Sequence, residues 1–303
     1  MKDLLCVGEI LIDFLGQEKS SLVQTSTFYR HLGGSPTNVA VNTSHLGLEV
    51  TLVGTLGQDG LGDFALEQLK QTQVDTSFVS QKKGLSTSSI IVSRTEETPE
   101  FVPLREADKY ISSDQFSDSL LKNSKVFHTT CFALSATPAQ ETILAQAQRA
   151  FDWGCRLSID LNYAPKIWKN STPVLEVIKS YIQWNPLVKI SEVDVQRIFN
   201  QPMEHSAVFD FFHTYGAETV CLTLGKEGVK LSHKSNAPIF LPAPILDHVV
   251  DVTGAGDAFW SGFLYGYLKD YSWEKCLELA LQIAEIKLQR VGHLPANVNT
   301  LLH

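Results

Sequence analysis

The sequence predicts an α/β protein in which a mostly parallel sheet is wrapped by helices and a small second sheet projects from it. Three observations predict this. From about Asp114 onward, strand-like and helix-like stretches alternate, as successive crossovers to a parallel sheet require. Ser86 to Ser93 and Pro99 to Leu104, rich in Thr, Ser, Ile and Val, read as paired strands with no helix between them. Finally, a glycine turn at Gly254 to Gly256 follows the strand-like residues His248 to Val252. It opens a helical repeat of Ala258, Phe259, Phe263, Leu264, Tyr267 and Leu268.

Taken in order, Leu4 to Glu9 is the first strand, followed by Ile10 to Phe14 with a single acid, Asp13, in an apolar stretch. Such an acid either reaches water at an edge or binds something polar, because burial without a partner costs several kcal/mol. Ser35 suits a helix cap and Pro36 a first helical position, so a helix is predicted from Pro36 to about Leu46. Its first turn holds Asn38, next to Gly33 and Gly34, where the amide serves either a ligand hydroxyl or a second cap. Val50 to Gly54 is a strand, and Gly57 to Gly62 a turn feeding a helix to about Gln71. Further strands are predicted at Lys125 to Thr130, Cys155 to Leu161, Leu187 to Ile190 and Thr219 to Leu224. Helices fall at Pro138 to Trp153, Pro173 to Tyr181, Ser206 to Tyr215 and Trp273 to Gln289.

Composition narrows the function. A chain of 303 residues, 44% hydrophobic and 19% charged, can bury a large core. It has no apolar run long enough to span a bilayer, and Met1 to Leu4 enters a strand directly without a signal-peptide core, so a cytoplasmic protein with no membrane partner is expected. Five widely spaced cysteines in apolar surroundings read as buried thiols. The net charge of −8 argues against nucleic acid as a partner.

The chemistry concentrates at Asp251-Val252-Thr253-Gly254-Ala255-Gly256-Asp257-Ala258-Phe259. A glycine turn into a helix presents unpaired N–H groups and the positive end of the helix dipole, a place for phosphate. Asp257 within it is either an ordinary first-turn acid or a base accepting the proton of an attacking hydroxyl. A dinucleotide fingerprint is disfavoured because Phe259 stands where the third glycine belongs, and Gly225-Lys226-Glu227 is no Walker P-loop.

The whole string resembles the C-terminal signature of the ribokinase-like carbohydrate kinases, the PfkB family, and Gly33, Gly34 and Asn38 resemble that family's amino-terminal substrate motif. The resemblance runs from Gly8 to Gly292 and implies a three-layer α/β/α fold over residues 1–303. The lid would come from segments near 14–32 and 85–105. It implies an ATP-dependent sugar kinase with Asp257 as base and the amides of Gly254, Ala255 and Gly256 around the transferring phosphoryl group. Asp13, Gly33, Gly34 and Asn38 would contact sugar, joined by Asn162 in a segment resembling Asp-x-Asn-x-Arg-x-x-Leu-Trp. Arg105, near Ala107-Asp108, resembles a fructokinase substrate arginine, although a solvated arginine is an equal alternative.

Thr223, Gly225 and Gly228 resemble the nucleotide loop. Ser191 and Asp194 occupy the place of the Asn-x-x-Glu motif that organises Mg2+ through water, or cap a helix, or both. Asp251 and the Thr253 carbonyl are candidate ligands for K+, and a homodimer through the lid is implied. Fructose is the favoured substrate. Ala164 stands where the family has arginine, which places the acid 2-keto-3-deoxygluconate second; ribose and nucleosides come third. A non-catalytic sensor on the same fold is the rival from another class, against which Asp257 argues.

Overall fold

The computed structural model describes residues 1–94, 100–168, 174–234, 236–246 and 248–301. The larger sheet contains β1 (Lys2–Val7), and the smaller one takes the next two strands, β2 (Leu11–Gly16) and β3 (Phe28–Gly33). β4 (Val50–Gly57) and β5 (Asp75–Lys82) return to the large sheet, and β6 (Ser89–Val92) and β7 (Phe101–Leu104) to the small one. β8 (Ser124–Thr130), β9 (Arg156–Asp160), β10 (Leu187–Ser191), β11 (Thr219–Thr223), β12 (Val229–His233) and β13 (Ile239–Leu241) complete the large sheet. The helices are α1 (Ser35–His45), α2 (Gly60–Lys70), α3 (Asp118–Lys122), α4 (Ala139–Asp152), α5 (Val174–Ile182), α6 (Glu192–Phe199), α7 (His205–Thr214), α8 (Ala255–Leu268) and α9 (Trp273–Leu288).

The large sheet has the order β13-β12-β11-β10-β9-β8-β1-β4-β5. It is parallel from β11 to β5, with β12 and β13 added antiparallel at one edge. Alternation along β1 explains its central place. Leu5 and Val7 join Phe127, Leu157 and Val188 in the core on one face, whereas Leu4 and Cys6 join Val39, Leu52, Trp260 and Phe263 on the other. The second core is covered by α8 and α9, which approach closely. A β-carbon on Gly262 would stand 2.8 Å from the Leu279 carbonyl, and one on Gly266 would stand 3.0 Å from Cys276 Cα. All five cysteines are free and buried, as their apolar surroundings predict.

From β1 the chain builds β4 and β5 to one side before β8 to β11 extend the other. The connections leaving the carboxyl ends of β1 and β8 therefore run to opposite sides, which is where such sheets open a crevice for ligands. The small sheet, ordered β3-β2-β6-β7, is built from strands within residues 11–33 and 89–104 and begins at the crevice, since β2 follows β1 after three residues.

Two local expectations are corrected. His248 to Val252 is not a strand: Val249, Val250 and Val252 are exposed, and the Val250 amide bonds the Leu288 carbonyl at the end of α9 instead of a sheet neighbour. Ser35 is not a cap. Gly34, at φ +98°, takes the cap position and leaves Ser35 as the first residue of α1, its hydroxyl free for another partner. The predicted starts at Pro99 and Pro173 lie outside the described residues.

Candidate active site

Asp257 sits in the first turn of α8, after Gly254 in the left-handed region at φ +74°. The Ala255 amide is occupied by the Val252 carbonyl at 3.2 Å, so of the expected donors those of Gly254 and Gly256, together with that of Asp257, remain without partners among the described residues. They form an exposed anion cradle at the helix N-terminus. The Asp257 carboxylate accepts from Ser35 Oγ at 2.6 Å and from Asn38 Nδ2 at 2.7 Å, both from the first turn of α1. His293 Nε2 meets Asn38 Oδ1 at 3.0 Å, fixing the amide so that its NH2 faces the acid. Burial raises the Asp257 pKa to about 6, helped by the charge of Asp160 and opposed by the Ser35 and Asn38 bonds. A carboxylate near 6 is ionised at neutral pH yet basic enough to draw a proton from an alcohol.

Beside it, a cavity of about 40 Å³ is lined by Asp13, His31, Asn38, Thr253, Gly254 and Lys287, among others. Asp13 rises from β2 into this space without a hydrogen-bond partner among the described residues. Burial, and then the charge of Asp257, raises its pKa to about 7. Gly33 makes its position possible, since a β-carbon there would stand 2.1 Å from Asp13 Oδ2, and Gly34 lets the chain pass Glu9, whose carbonyl would stand 2.3 Å from a β-carbon at that residue. Glu9 itself is buried at the end of β1, where Oε1 accepts from the Ser35 amide at 3.1 Å and Oε2 from Thr130 Oγ1 at 3.0 Å. Burial pushes its pKa to about 8.

On the other side of the elbow, the carboxyl ends of neighbouring strands align Asp160 with Lys189 and Ser191 with Thr223. Lys189 Nζ pairs with Asp160 Oδ2 at 2.7 Å, deep in the protein, and lies 3.2 Å from the place of a β-carbon on Gly256. Burial opposes its charge, but Asp160 and Asp194 outweigh that and hold it protonated under the anion cradle.

Residues 1–298 match the pfkB family carbohydrate kinase profile. The chain belongs to the pfkB family of carbohydrate kinases. It is 34% identical over 290 residues to the ATP-dependent 6-phosphofructokinase of Thermoanaerobacterium thermosaccharolyticum, a match covering 96% of this chain and 89% of that one. To the fructokinase of Salmonella typhimurium it is 28% identical over 261 residues, covering 85% and 82%. The fructokinase structure of Halothermothrix orenii superposes with a TM-score of 0.81 at 35% identity, covering 92% and 97%. This pfkB kinase is thus a phosphotransferase acting on a sugar hydroxyl, with a ribokinase-like fold.

The fold brings Asp13, Gly33, Gly34, Asn38, Asp251, Thr253, Gly254 and Asp257 into one place. Other sequence-predicted residues do not line that cavity. Arg105 is a clamp: its Nε donates to Asp108 at 2.8 Å, its Nη1 to Ser135, and it stacks over Phe132. Asp194 closes a capping box with Ser191 at the start of α6 and accepts from the Tyr163 amide at 2.9 Å. Gly228 is required by packing, since a β-carbon there would stand 2.1 Å from the Leu241 carbonyl. Gly225 turns the chain after Thr223 at the end of β11.

Sequence reasoning missed Lys189 and Glu9 and read Ser35 only as a helix cap. A lone charge inside an apolar strand, as in Leu187-Val188-Lys189-Ile190, is the same signal that singled out Asp13 and could have found Lys189. The Ser35 and His293 contacts leave no local pattern.

Proposed function

We propose that this kinase transfers the γ-phosphate of ATP to a primary hydroxyl of fructose. The carrying observation is the pair Asp13 and Asp257: a carboxyl group without a hydrogen-bond partner among the described residues, ready for sugar hydroxyls, beside a base poised near neutrality. The hydroxyl takes the place of the Ser35 or Asn38 donor on Asp257 and gives up its proton as it attacks. The Gly256 and Asp257 amides and the Lys189 ammonium stabilise the charge on the transferring group, and no covalent enzyme intermediate is needed.

The charge balance of the cavity favours a neutral sugar. Asp13 and Asp251 line it, while Lys287 is paired with Asp251 and Arg105 with Asp108. Magnesium would be held by Asn162, whose Oδ1 is buried without a hydrogen-bond partner among the described residues, and by Asp194, which accepts from the Tyr163 amide. These two oxygens would accept from the waters of a hydrated ion, which when bound neutralises phosphate charge. Exposed Tyr29, Val102 and Leu104 on the edge strands of the small sheet support a dimer through the lid, which sedimentation checks.

Fructose 6-phosphate is the second reading, favoured by the 34% identity to a 6-phosphofructokinase. A coupled ADP-release screen over fructose, fructose 6-phosphate, ribose, 2-keto-3-deoxygluconate, tagatose and adenosine decides. The proposal requires the highest kcat/KM for fructose, and a higher value for any other acceptor overturns it.

A further inference from the structure

One charged side chain at the elbow has no part in the chemistry above. Lys287, in the last turn of α9, has a side chain only 6% exposed, and its ammonium pairs with Asp251 Oδ2 at 3.5 Å and donates to the Arg290 carbonyl at 3.2 Å. Its Cε lies 3.6 Å from where a β-carbon on Gly254 would stand, so the stem runs beneath the glycine turn. Asp251 Oδ1 in turn accepts from the Thr253 amide at 3.0 Å. One ammonium therefore fastens the entrance of the elbow to the end of α9. Burial opposes that charge and lowers the Lys287 pKa, with Asp251 acting in the other direction.

The expectation of a potassium ion on Asp251 and the Thr253 carbonyl does not fit this arrangement. One Asp251 oxygen is taken by an amide and the other faces an ammonium, so an incoming ion would meet a like charge at short range in a poorly solvated place. We infer that the Lys287 ammonium is itself the monovalent cation of this site, bracing from inside the chain the elbow whose amides hold the transferring phosphoryl group, so that the kinase works without potassium. Lys287 is a positioning residue, acting through Asp251 and the backbone from Val252 to Gly254. The inference rests on the elbow being the phosphoryl-transfer site and is independent of which sugar is accepted.

The test measures wild type, Lys287→Ala and Lys287→Met in potassium, ammonium and tetramethylammonium chloride at equal ionic strength, using whichever sugar the screen accepts. Wild-type kcat is expected to agree within about twofold across the salts, whereas Lys287→Ala falls about tenfold or more in tetramethylammonium and recovers at least about fivefold in potassium or ammonium. Potassium also raises the melting temperature of Lys287→Ala beyond its effect on wild type, a readout that needs no substrate and so separates this inference from the choice of sugar. Activation of wild type by potassium of about tenfold or more overturns the inference. So does a Lys287→Ala protein whose turnover and melting temperature ignore the salt. Should Lys287→Ala not fold, the wild-type salt profile decides together with Lys287→Met, which keeps the stem and removes the charge: potassium-indifferent wild type with slow Lys287→Met supports it, and any other pair of results overturns it.

Discussion

Ser35→Ala is expected to move the acid limb of the pH profile of kcat/KM toward higher pH. That limb reports the free enzyme's base, the role proposed for Asp257, whose pKa lies at about 6. The Ser35 hydroxyl donates to Asp257 Oδ1 at 2.6 Å, and this bond favours the ionised form. A hydrogen bond to a charged group contributes about 1.5–3 kcal/mol, and about 1.4 kcal/mol corresponds to one pH unit, so complete loss shifts the limb by about one to two units. Water entering the vacated place reduces this toward the lower figure. With a shift of one unit the variant is about fivefold slower than wild type at pH 6, where the base is half ionised, and nearly equal at pH 9. The assay is coupled ADP release at sub-saturating sugar from pH 5 to about 9. Asn38→Ala, which removes the 2.7 Å bond to Oδ2, should move the limb the same way. An unmoved limb, a limb moved to lower pH, or a uniform loss of activity at every pH would show that Ser35 does not tune this acid.

The other predictions follow from the same geometry. Asp257→Asn keeps the amide cradle and loses the base, so kcat falls roughly 10² to 10⁴-fold while ATP binding, followed by titration calorimetry, persists. Gly33→Ala sets a methyl group 2.1 Å from Asp13 Oδ2 and must displace that carboxylate, raising the sugar KM by about tenfold or more with the ATP KM little changed in steady-state kinetics. Glu9 has a folded pKa of about 8 against an ordinary 4.5, so its contribution to stability is full below the unfolded value and disappears as pH rises through about 8. Melting curves of Glu9→Gln should therefore depend less on pH between those values than those of wild type; an equal slope assigns the dependence elsewhere.

The sequence by itself determined the strand and helix alternation, the separate small sheet, and the segments proposed to carry phosphate and sugar chemistry, because each is local. A glycine turn before a helix, paired glycines before a proline, and a lone acid in an apolar strand are written in neighbouring residues. The strand predicted at His248 to Val252 failed because its alternating valines, in the tertiary structure, lie exposed beside the end of α9 with no sheet partner. Tertiary structure alone decided which groups meet at the acid. Ser35 and Asn38 reach Asp257, and His293 reaches Asn38, across more than two hundred residues of chain. It also decided that Arg105 is spent on Asp108 and that an ammonium from α9 faces Asp251. Pair energies of this kind depend on burial and distance, and neither quantity exists until the sheet is ordered and α1, α8 and α9 have packed against one face of it.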